Sequence, residues 1–171
     1  MKDLEDWAFH KLDCYVKPPK GVKSSDYVSR FETTGILFPE DEEAPKMIVV
    51  KTLTGVHDGR FWQTQNLRPY IPDDERKGRG HIHLNNQLSM VRGVLTSGPD
   101  IQIFFRKNFQ EDGSKHNSCI QHITAGKVAL PWAGPFIAFR STGADTIFNA
   151  ELEEDLPILI EYFNSQTATR R

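Results

Sequence analysis

DIQIFFRKNFQEDGSKHNSCIQHITAGKVALPWAGPFIAFRSTG, Asp100 to Gly143, is the stretch whose reading decides the fold. Ile101, Ile103 and Phe105 alternate with Gln102, Phe104 and Arg106, so this stretch is a strand with one apolar and one mixed face. Asp112-Gly113 then supplies the geometry of a tight turn among polar neighbours. Gly134-Pro135 interrupts a second apolar run, Trp132 to Phe139. Proline cannot donate a ladder hydrogen bond, so a strand starts beyond it, at Phe136 to Arg140. Phe136 and Ala138 face one way, Ile137 and Phe139 the other.

Outward from this pair, Leu156, Leu159, Ile160 and Phe163 follow the i, i+3, i+4, i+7 rule of an amphipathic helix. Asp155 is its expected N-cap and Pro157 lies in the tolerant first turn. The tail 164–171 is expected to fray. The stripe predicts a core of Ile101, Ile103, Phe105, Ile137, Phe139, Leu156, Ile160 and Phe163.

Toward the N-terminus, Met47 to Leu53 is a strand candidate. Ile48, Val49 and Val50 are too continuous for one wet face and point to the sheet centre. Phe61 to Gly80 reads as irregular. His81 to Leu95 suits either a strand then a helix, or two strands. Residues 1–45 read as a helical or irregular segment. Leu4, Trp7, Ala8 and Leu12 lie near helical spacing, Lys17-Pro18-Pro19 favours an extended connector, and Ser24 to Phe31 suits another helical turn. The expected fold is therefore α+β: a mostly antiparallel sheet with helices near both termini packed on one face, in a single domain spanning 1–171.

Composition narrows the function. The chain has 171 residues, 21 basic against 23 acidic side chains and a formal charge of -2, so nothing global argues for a nucleic-acid partner. No apolar run approaches a membrane span, and the acidic N-terminus lacks the apolar core of a secretory signal. Cys14 and Cys119 are too few for a disulfide framework. They read as reduced thiols of a cytoplasmic or nuclear protein.

Asp112-Gly113-Ser114, Gly126-Lys127, Trp132-Ala-Gly-Pro135 and the Asp155-Leu-Pro…Tyr162-Phe163 pattern resemble a group of small uncharacterised fungal proteins, mostly of mushroom-forming species. The resemblance covers the C-terminal half. It implies a shared fold and a fungal source, and it brings no activity.

His81-Ile82-His83 is the sharpest chemical feature. On a strand both imidazoles share a face and could chelate a divalent metal. Gln87 stands where a cupin's carboxylate ligand would fall, and Gly126, Pro131 and Gly134 loosely echo a cupin's second motif, whose histidine is missing. A third ligand would have to come from His57, His116, His122 or a carboxylate. Cys119 with His122 is a weaker candidate pair for thiol chemistry, although three-residue spacing suits a helix better than the strand expected there. Arg76, Lys77 and Arg79 form a basic, glycine-containing loop able to hold a phosphate or carboxylate. Trp62, Trp132 and Phe104 could line a small-molecule pocket, although large aromatics are commonly core. The leading expectation is an intracellular domain that binds a small molecule or a protein partner without catalysis or a resident cofactor. The alternatives are a cupin-like metal enzyme at His81 and His83, and a cysteine-dependent activity at Cys119.

Overall fold

The computed structural model describes residues 27–57, 60–71, 82–85, 100–106, 109, 113–126, 132–143 and 146–165. Seven strands form one sheet: β1 (Tyr27–Phe38), β2 (Lys46–His57), β3 (Arg60–Gln65), β4 (Ile82–Asn85), β5 (Asp100–Arg106), β6 (Phe136–Gly143) and β7 (Thr146–Phe148). Their order is β3-β2-β1-β6-β5-β4, with β7 paired to β6 where β1 has peeled away. Every pairing is antiparallel. Among the described residues there are two helices, α1 (Ser118–Ile123) between β5 and β6, and α2 (Leu152–Ser165) after β7. The class is α+β with an antiparallel sheet, as the alternation predicts. The expected N-terminal helix falls in 1–26, outside the described residues.

Three local readings are corrected. Ser24 to Phe31 is not a helical turn at its described end, because β1 begins at Tyr27. Its Thr33, Thr34 and Ile36 are β-branched and sit in a twelve-residue strand whose pairing with β2 outweighs the spacing of three apolar residues. Phe61 to Gly80 is not irregular throughout, since β3 occupies Arg60–Gln65 and pairs with β2. The region of Cys119 is helical rather than extended. Asn117 caps α1 through its side-chain oxygen, which accepts from the Ile120 amide at 2.8 Å. At the other end, the Gly126 amide donates to Gln121 O and the Ala125 amide to His122 O, a double closure of the Schellman type.

Alternation along β6 separates two cores. Phe136 and Ala138 face the helices with Ile36, Phe38, Ile101, Ile103 and Phe105. Trp132 and Phe163 complete a dense aromatic group there, with ring centroids 5.0 Å apart and edge to face. From α2, the buried core residues are Leu159, Tyr162 and Phe163, with Leu156 partly buried against them. Ile137 and Phe139 lie on the opposite face with Leu37, Ile48, Val50, Phe104 and Ile147. The expected single core is thus split, and Ile160 is half-buried outside it. Gly35 belongs to this second face, where a Cβ would stand 2.6 Å from the Phe139 ring. Glycine is needed there because the ring packs directly on backbone.

α2 begins a turn earlier than the stripe suggests, at Leu152, so Asp155 lies within it and is not the N-cap. Its carboxylate accepts from the Glu151 amide at 2.8 Å and receives Arg140 Nε at 2.8 Å and Nη2 at 3.0 Å. Arg140 Nη2 also donates to Glu154 at 2.8 Å. This two-pronged contact fastens the first turn of α2 to β6, and acidic residues in that turn suit the helix dipole. It also holds Arg140 more firmly protonated than usual, chiefly through Asp155, and depresses the Glu154 carboxyl. Pro157 consequently falls in the second turn, on the exposed side, with the loss of one helix hydrogen bond.

Candidate functional site

Among the described residues, three places could do chemistry or binding: the polar row on the face opposite α1 and α2, the thiol on α1, and the outer face of the β1–β2 hairpin. The polar row is assembled by register. Thr33, Thr52, Thr54, Gln65, Gln102 and Ser141 are all buried on the strands that carry the second core. Thr33 and Thr52 hydroxyls bond each other at 2.9 Å. Gln65 lies opposite Thr52, and its amide donates to Gln63 Oε1 at 3.1 Å. Gln63 then reaches across to β7, accepting from the Ile147 amide at 2.6 Å and donating to its carbonyl at 3.3 Å. That side chain acts as one rung of a strand and ties β3 to β7, bending the sheet around its polar face. Segment 66–71 closes the apolar end, with Leu67 and Ile71 inserted and Tyr70 Oη donating to Val49 O at 3.0 Å. The Thr33–Thr52 pair and the Gln65–Gln63–Ile147 chain bond within the sheet and form an internal network that sets register.

Cys119 is a free thiol with no solvent exposure, in the helix-side core. Burial, helped by the Glu42 charge, pushes its pKa up to about 12. A thiol so placed stays protonated at neutral pH and is a poor nucleophile. His122 is exposed on the same helix, 3.7 Å from Glu43, and His116 meets Gln121 at 3.5 Å. Asn117, beside them, is buried and fully engaged: its amide donates to Phe38 O at 2.9 Å and to Gly134 O at 2.8 Å. Gly134 takes the positive φ, 77°, that turns the chain into β6.

The third place is a surface. Directly opposed residues of antiparallel strands share a face. Ile36, under the helices, is opposite Met47, and Thr34 is opposite Val49. Phe148 is opposite Arg140, which holds α2. All these positions therefore lie on the helix-bearing face. The helices cover β1, β6 and β5 near Ile36, Ala138 and Ile103, yet Met47, Val49 and Phe148 remain 40%, 47% and 36% exposed. β7 reaches this patch because the Ala150 amide donates to Thr34 O at 3.0 Å and Asn149 accepts from the Thr34 amide at 2.9 Å. Glu32 and Lys51, opposed and both exposed, border the patch.

Met47 to Leu53 is thus not the sheet centre. β2 is the second strand from the β3 edge, and its continuous apolar run divides into an inward row, Ile48 and Val50, and an outward row, Met47 and Val49. Lys51 and Thr52 carried the signal: the lysine continues the outward row and the threonine the inward one.

Of the other candidates, Trp132 is core. It is buried, stacks on Phe109 at 5.8 Å and donates through Nε1 to Phe163 O at 3.4 Å. Phe104 is likewise buried, edge-on to Phe139 at 5.8 Å. Position 83 lies in β4 opposite Phe105, so the start of His81 to Leu95 is strand over 82–85. Arg76, Lys77, Arg79, His81, Gln87, Cys14 and the side chains of Trp62 and His83 lie outside the described residues. Among the described residues, no three His, Cys, Asp or Glu side chains converge as a metal site would require, and no helix is long and apolar enough to cross a membrane. Comparison with protein-family models, curated proteins and solved structures returns no match to this chain.

Proposed function

We propose that this chain is a protein-binding module whose contact surface is the outer face of the β1–β2 hairpin with Phe148. One observation carries the reading: three large apolar side chains stand exposed on the part of a sheet face that the helix layer leaves bare. Contiguous apolar surface with a charged border is the usual anatomy of a contact site. The small-molecule reading has less support, because the Thr33, Thr52, Gln63 and Gln65 side chains of the opposite face bond within the sheet. Binding of this kind requires no catalytic group, and the buried Cys119 thiol suits a reducing compartment, cytoplasmic or nuclear.

Site-specific photo-crosslinking tests this. A photoreactive residue at position 49, introduced in cells of the source organism, should give a discrete adduct identifiable by mass spectrometry. The same group at Gln121, exposed on α1, is the control. Equal, diffuse labelling at both positions would refute the proposal.

A further inference from the structure

The geometry points to a second copy of this chain as the partner of the β1–β2 face, an inference that rests on the contact surface proposed above. A two-fold contact must be self-complementary, since the same patch supplies both sides. Glu32 on β1 and Lys51 on β2 are opposed across the hairpin, and Thr34 and Val49 form the next described pair on that face. Place the axis between β1 and β2, parallel to the strands. Rotation then exchanges the two strands. Lys51 of each copy comes over Glu32 of the other, and the two Val49 side chains meet near the axis with Met47 beside them.

The opposite charges that would otherwise be desolvated at the border are therefore matched without any other partner. The helix layers stand on the β6 side of each hairpin and so fall on opposite sides of the axis. A formal charge of -2 sets little long-range repulsion against self-association. The apolar part is small, so the dimer should form at micromolar rather than nanomolar concentration.

Sedimentation of the full chain over a wide concentration range tests the arrangement. Wild type should pass from monomer to dimer, and Val49→Lys should weaken this at least tenfold. Glu32→Lys and Lys51→Glu should each weaken self-association about tenfold, because each brings like charges together across the axis. An equimolar mixture of those two single variants should dimerise again, since both intermolecular pairs are then opposite in sign. An effect confined within one chain cannot produce that recovery. A mixture that stays monomeric would overturn the proposed geometry. If wild type is monomeric at every concentration while position 49 crosslinks to a different protein, the dimer falls and the contact surface stands. If position 49 crosslinks to nothing, both fall.

Discussion

The two faces of one sheet are built on different principles. Toward the helices, Phe38, Phe105, Phe136, Trp132 and Phe163 stack edge to face and flat, with hardly a polar atom among them. On the other face, aliphatic residues share the interior with Thr33, Thr52, Gln65 and Gln102. Aromatic packing supplies burial on the first face, and hydrogen bonds of fixed direction supply register on the second. A one-residue slip of β2 against β1 would separate the Thr33 and Thr52 hydroxyls and expose the apolar row. The protein can therefore leave Met47 and Val49 in solvent, because neither core needs them.

The largest effect is expected on the helix side. Phe163→Ala removes a fully buried ring that touches Phe38, Trp132, Phe136 and Tyr162, and should cost about 3–5 kcal/mol in chemical denaturation. A loss under about 1 kcal/mol would mean that α2 does not anchor this core.

The polar face should respond differently, by compensation. Thr33→Val alone leaves the Thr52 hydroxyl without its 2.9 Å neighbour and should cost about 1–3 kcal/mol. Thr33→Val with Thr52→Val keeps the shape and removes both polar groups, so the double variant should be less destabilised than either single one. Strictly additive losses would mean that the two hydroxyls are not a closed pair.

This contrast also explains what was legible in the sequence. The β5 and β6 strands could be read because Ile101, Ile103 and Phe105 alternate cleanly and Pro135 marks a start. β1 could not, because its inward residues include Thr33 and Gly35, and a buried threonine looks like a surface one until Thr52 is seen beside it. The α2 stripe was readable from Leu159 and Phe163, but its true start depended on Arg140, fifteen residues before Asp155. Cys119 and Ile123 could equally have been the buried face of a short strand. The proposed contact surface was hidden inside an apolar run: the inward row of β2, Ile48 and Val50, packs in the second core, while Met47 and Val49 lie on the helix-bearing face beyond the reach of the helices.

Cys119 gives a test of the helix-side core through pH. Its folded pKa is raised, so its contribution to stability is full below the unfolded thiol value. It is lost as pH rises from about 9 toward about 12. Stability should decline in that window more steeply in wild type than in Cys119→Ala. At pH 8, thiol labelling of Cys119 should proceed no faster than unfolding. Rapid labelling of the native protein would show that α1 opens locally.

The smallest effect concerns the end of α1. Ala125 holds a φ of 53°, in the left-handed region that a Cβ disfavours. Ala125→Gly should raise stability by up to about 1 kcal/mol, seen as a small upward shift in thermal midpoint.

The proposed association depends most on Met47 and Val49 being contact surface and not part of either core. The direct measurement is the thermal midpoint of wild type and of Val49→Lys over a hundredfold range of protein concentration. A protein stabilised by its own association melts higher when concentrated. The wild-type midpoint should rise with concentration, while that of Val49→Lys stays flat near the wild-type value at high dilution. A wild-type midpoint that does not move, or a variant that melts well below wild type at every concentration, would contradict the account.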